Sequence, residues 1–115
     1  MARQKRKTVL IVDDDPQIRK LLREIVRDLG HRSLEAGDGA MAIDAFNKGP
    51  VHLVITDILM PEKDGIETIM EMRTSKPEVP IVAISGGGRL TSGVYLSIAE
   101  RLGVAKTMAK PIDTG

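Results

Sequence analysis

The sequence contains no cysteine and no tryptophan, and only one phenylalanine and one tyrosine in 115 residues. The absence of cysteine excludes a disulfide scaffold, a thiolate metal site and a thiol nucleophile. The scarcity of aromatic rings leaves few platforms on which bases could stack, so no direct nucleic-acid binding is expected. No apolar run approaches the roughly 18–20 residues of a membrane span. Residues 1–7 are basic, but the apolar-rich stretch after them is only five residues long, too short for the core of a signal peptide. A cytoplasmic setting without membrane attachment is expected. The length supports one domain, because two would each fall below the size at which a core is secure.

Charge of one sign is also lacking overall, but this balance hides an asymmetry. Seventeen basic and sixteen acidic residues give a formal charge of +1. Four of the basic residues, Arg3, Lys5, Arg6 and Lys7, lie in the first seven positions. Without them the body holds thirteen basic against sixteen acidic residues, a net charge of −3. The expected organisation is a short basic leader over 1–7, solvated ahead of the first strand, and a mildly acidic domain over 8–115.

What the sequence does have is alternation between short β-branched runs and helical segments. Thr8 to Val12 is a continuous apolar strand. Asp15 is suited to cap the following helix and Pro16 to open it. Ile18, Leu21, Leu22, Ile25, Val26 and Leu29 then recur on one helix face, and Gly30 stops the helix. Residues 31–36 form a weaker strand, and Gly37-Asp38-Gly39 turns into a helix carrying Met41, Ile43, Ala45 and Phe46. A third strand covers 51–56. A loop over 61–65 leads to a helix on which Ile66, Ile69, Met70 and Arg73 share a face. A fourth strand covers 79–84. Tyr95, Ile98, Ala99 and Leu102 stripe a fourth helix, and a fifth strand covers 104–109. Strands that alternate with helices imply an α/β fold with parallel strands, joined by right-handed crossovers into a doubly wound sheet. In that architecture ligands bind beyond the carboxyl ends of the strands, where strand order reverses.

The strand ends hold most of the chemically active residues. The first strand runs into Asp13, Asp14 and Asp15, the third into Asp57, the fourth into Ser85 and Gly86, and the fifth into Lys110. Carboxylates gathered without a partner repel one another, and a hard divalent cation relieves that repulsion. Oxygen ligands without histidine or thiolate point to Mg²⁺. A carboxylate can also accept a phosphoryl group, in a transfer that needs mainly positioning and charge stabilisation. Lys110 suits the phosphoryl oxygens as a point charge, with the Ser85 hydroxyl and the Gly86 backbone N–H as donors.

Val12-Asp13-Asp14, Asp57-Ile58-Leu59-Met60-Pro61-Glu62-Lys63-Asp64-Gly65, Ser85-Gly86 and Lys110-Pro111 together resemble the receiver domain of bacterial two-component response regulators. Within that family, Ser-Gly-Gly-Gly-Arg after the fourth strand resembles a particular subgroup. The resemblance implies a flavodoxin-like five-stranded parallel sheet of order 2-1-3-4-5. It implies that Asp57 is the phosphoacceptor, supplied by the phosphohistidine of a sensor histidine kinase or histidine phosphotransfer protein. It implies that Asp14 and Asp57 ligate Mg²⁺, that Asp13 acts through a metal-bound water and that Leu59 contributes its backbone carbonyl. Ser85, Gly86 and Lys110 then form the phosphate-binding and switch set, with the bond before Pro111 cis. Such a protein is not an enzyme in the ordinary sense, because it catalyses only its own phosphoryl transfer and dephosphorylation. It signals by phosphorylation-dependent protein binding.

The sequence departs from the family pattern in three places. Thr107 stands where the family has an aromatic switch residue. The loop 85–92 is Gly-rich and a few residues longer than usual, with Arg89 more suited to solvent than to a ligand. Only four residues follow Pro111, so the final helix is expected to be missing, which leaves an apolar patch and favours a homodimer. Two competing readings follow: a non-switching, receiver-like interaction module, and a hydrolase of the haloacid-dehalogenase type suggested by the Asp-x-Asp at 13–15. The second leaves the Asp57 segment unexplained. Other polar and sulfur residues have plain structural uses: Asp15 as a cap, Asp64-Gly65 as a turn, His52 as a strand-lining residue, and Met60, Met70 and Met72 as filler.

Overall fold

The computed structural model describes residues 6–57 and 65–84, without the side chains of 65 and 66. The described elements run β1 (Thr8–Val12), α1 (Pro16–Asp28), β2 (Arg32–Ala36), α2 (Gly39–Lys48), β3 (Leu53–Asp57), α3 (Gly65–Ser75) and β4 (Ile81–Ile84). The expected fourth helix, fifth strand, glycine-rich loop and shortened carboxyl end lie outside the described residues. So do Leu59, Ser85, Gly86, Thr107, Lys110 and Pro111.

The four strands form one parallel sheet of order β2-β1-β3-β4, in agreement with the first four positions of the expected sheet. From β1 the chain moves to β2 on one side. It then crosses back over β1 to β3 and continues outward to β4. Right-handed crossovers that travel in opposite directions place their helices on opposite faces. The core divides accordingly. Val9, Ile11, Leu53 and Ile55 meet Ile18, Leu22 and Val26 of α1 on one face. Leu10, Val12 and Val54 meet Ala42 and Phe46 of α2 and Met72 of α3 on the other. Burial on both faces explains why β1 and β3 read as unbroken apolar runs. Each fully buried aliphatic side chain contributes about 1.5–3 kcal/mol.

The caps follow the sequence. Asp15 accepts from the Gln17 N–H at 2.9 Å, ahead of Pro16 in the first turn of α1. Asp38 accepts from the Met41 N–H at 2.8 Å and caps α2. Gly30 ends the run after α1 at φ 89°, a left-handed conformation that a side chain would strain.

Two expectations need correction. The inward face of α3 is set by Thr68 and Met72, both fully buried, whereas Met70 and Arg73 are exposed. Helical periodicity identified a face, but contact with α2 selected a different one. Met41 in α2 also faces solvent. His52 does not line a strand: it is exposed and sits one residue before β3.

Candidate functional site

Strand order reverses between β1 and β3, which are paired with Val12 opposite Thr56. The next residue on each strand path is therefore Asp13 and Asp57, side by side at the carboxyl edge. Asp13 is buried, Asp14 is exposed and Asp57 is half-buried at the last position of β3. One carboxylate oxygen from each lies within 4.8 Å of the others. The structure thus brings together the three acidic residues that the sequence singled out.

Asp13 is tied down at three points. Its N–H donates to the Ala36 carbonyl at 3.1 Å, which carries the β1–β2 ladder one step past the strand. Its Oδ1 accepts from the Asp15 N–H at 2.8 Å. Its carbonyl accepts from Arg19 Nη1 at 2.7 Å. Arg19 in turn donates through Nε to Glu35 at 3.2 Å, and the other oxygen of Glu35 meets Arg23 at 2.6 Å. No sequence pattern pointed to this bracket, because its members lie on α1, β2 and the end of β1 and meet only in the folded chain. On the β3 side, the Thr56 hydroxyl donates to the Asp57 carbonyl at 3.0 Å.

The electrostatics follow from this packing. Burial pushes the Asp13 carboxyl up to about 6, and the negative charges of Asp57, Asp14 and Asp15 act in the same direction. The Asp15 N–H opposes them. The protein spends stability to hold negative charge here, and a bound cation offsets that cost. The donor set consists of carboxylate oxygens, with no nitrogen or sulfur ligand among the described residues, so it fits a hard divalent ion such as Mg²⁺.

The sequence matches the family described as response regulator receiver domain over residues 9–115. This chain belongs to that family. It is a receiver of two-component signalling, with the doubly wound fold expected of one. The receiver is 32% identical over 105 residues to the transcriptional regulatory protein GlrR of Escherichia coli, a match that covers 91% of this chain and 23% of GlrR. It therefore spans about a quarter of that relative's length. It is 38% identical to the response regulator protein TrrA of Thermotoga maritima, solved in complex with Mg²⁺-BeF. That match has a TM-score of 0.66 and covers 69% of each chain. A complex of TrrA with the histidine kinase ThkA matches with a TM-score of 0.72 at 27% identity, over 84% of this receiver and 98% of the matched chain. No helix among the described residues is long and apolar enough to cross a membrane.

Proposed function

We propose that this receiver accepts a phosphoryl group on Asp57 from the phosphohistidine of a histidine kinase or histidine phosphotransfer protein, and signals by binding a partner in the phosphorylated state. The observation that carries this reading is the convergence of Asp13, Asp14 and Asp57 within 4.8 Å at the switch point of the sheet. The relatives support it: TrrA was solved with Mg²⁺-BeF, and also in complex with a histidine kinase.

In this reading a carboxylate oxygen of Asp57 attacks the phosphorus. The phosphorus–nitrogen bond breaks, and its electron pair stays on the donor's imidazole nitrogen. Asp14 and Asp57 would hold Mg²⁺ directly, Asp13 would hold it through a water and Leu59 would contribute its backbone carbonyl. When bound, the ion supplies charge neutralisation at the phosphoryl oxygens. Asp13 serves as a fixed anchor, because its backbone is held on both sides by Ala36 and Arg19. Ser85, the Gly86 N–H and Lys110 are assigned to the phosphoryl oxygens, and the Lys110–Pro111 bond is assigned as cis. The chemistry is confined to the receiver's own phosphorylation and dephosphorylation.

The test is incubation with acetyl phosphate and Mg²⁺ followed by intact mass. One added phosphoryl group on the unaltered protein, absent from Asp57→Asn, supports the assignment. No addition, or equal addition to the variant, refutes it. Thr107, at the place of the family's aromatic switch residue, favours a second reading as an interaction module that does not switch. Partner affinity that stays the same whether or not Asp57 is phosphorylated would select that alternative.

A further inference from the structure

The chain has two histidines, and both stand at the amino end of the sheet, away from the acidic crevice. His31 immediately precedes β2, and His52 immediately precedes β3. These two strands flank β1. The Lys7 N–H donates to His31 Nδ1 at 2.9 Å, on the β2 side. The next amide, Thr8 N–H, donates to His52 Nδ1 at 3.0 Å, on the β3 side. The carbonyls of the same two residues accept from the flanking backbones: Arg32 N–H to Lys7 O at 2.9 Å and His52 N–H to Thr8 O at 2.8 Å. Each imidazole thus stands where the ladder carbonyl of a longer strand would be.

A ring nitrogen that accepts a hydrogen bond carries no proton, so both rings are neutral with the hydrogen on Nε2. His31 is 5% exposed, and its Nε2 has no hydrogen-bond partner among the described residues. α1 meets His31 through the Val26 carbonyl, which accepts the His31 N–H. Among the described residues, the ionisable groups that bear on His31 are Lys7, His52 and Arg6. Burial first, and then these groups, hold its pKa below the usual imidazole value.

We propose that His31 and His52 form a proton-operated clamp on the first residues of the central strand. Neutral rings hold Lys7 and Thr8 in the sheet. Protonation turns each Nδ1 from an acceptor into a donor facing an amide N–H, and both bonds are lost. The amino end of β1, where the basic leader joins the sheet, then detaches in acid. Four strand residues, Val9 to Val12, lie between the clamp and Asp13, so Thr8 and Asp13 stand roughly 16 Å apart at opposite ends of the strand.

The test is amide exchange of the full chain by NMR at about pH 7.5 and about pH 4.5, compared as protection factors, so that the lower value lies well below the ordinary imidazole range. The Lys7 and Thr8 amides are expected to lose roughly fivefold or more in protection at the lower pH, while Leu10 and Ile11 keep theirs. The double variant His31→Asn with His52→Asn keeps an acceptor at similar reach without a titrating ring, so its protection should not change with pH. Equal protection of Lys7 and Thr8 at both pH values in the unaltered protein overturns the clamp. So does equal loss in the variant, or loss along the whole of β1. A second measurement needs no variant: long-range proton–nitrogen correlation of the imidazoles at the higher pH should place the hydrogen on Nε2 of both rings. A hydrogen on Nδ1 of either ring overturns the proposal.

Discussion

Arg19 Nη1 lies 2.7 Å from the backbone carbonyl of Asp13, so a helix side chain fixes the residue that faces the acidic crevice. Glu35 holds the same guanidinium from β2. Arg19→Met is expected to cost about 1–2 kcal/mol in urea unfolding, a figure discounted because the pair is partly solvated. It should also weaken Mg²⁺ binding measured by calorimetry. Arg19→Lys should recover part of both losses, since an ammonium can reach one acceptor well but lacks the fork that spans two.

The raised pKa of Asp13 sets a pH dependence in metal-free buffer. Its folded value of about 6 lies above the ordinary 3.8. Between those values the folded chain binds more protons than the unfolded one, so stability falls as pH rises through that window. The full difference is about 3 kcal/mol and is lost above the folded value. The lowered pKa of His31 works in the opposite sense: its contribution is present above the ordinary imidazole range and is lost as pH falls from that range through the lowered folded value. Asp13→Asn isolates the first effect. Denaturation at several pH values should show the variant more stable than the unaltered protein at neutral pH without metal, with a weaker response to added Mg²⁺.

Lys76 closes the carboxyl end of α2 from outside that helix. Its Nζ donates to the carbonyls of Phe46 at 2.9 Å and Gly49 at 3.1 Å, and stands 5.1 Å from the centre of the Phe46 ring. Lys76→Met should cost about 1–2 kcal/mol in thermal or urea unfolding, through lost carbonyl partners and lost charge at the helix end. Phe46→Ala should cost about 3–5 kcal/mol, because Phe46 is fully buried.

Two adjacent aspartates should separate by role. Asp15 caps α1, so Asp15→Ala is expected to lose about 1 kcal/mol of stability while Asp57 is still modified by acetyl phosphate. Asp14 is exposed and faces the crevice. Asp14→Asn should leave stability nearly unchanged and sharply reduce Mg²⁺-dependent modification, read by intact mass.

Much of this was legible in the chain. The unbroken apolar runs of β1 and β3 showed strands buried on both faces, and Asp15-Pro16 marked where α1 begins, because capping and strand burial depend on neighbouring residue types. The face of α3 was not legible. Ile66, Ile69, Met70 and Arg73 recur at helical intervals, yet Thr68 and Met72 pack inward, since the choice between overlapping faces depends on where α2 lies. The placing of His52 failed for a related reason: its ring serves a backbone amide 44 residues away.

The sequence by itself determined the alternation of elements, the caps and the identity of the acidic residues, because each rests on local propensity, periodicity and residue chemistry. Only the tertiary structure decided that Asp13 is buried while Asp14 is exposed, and that Arg19 grips Asp13 from the side. It also decided that two histidines bracket one strand. The physical reason is register. Val12 paired with Thr56 in a parallel ladder brings residues 44 positions apart to the same edge, and no local pattern encodes that distance.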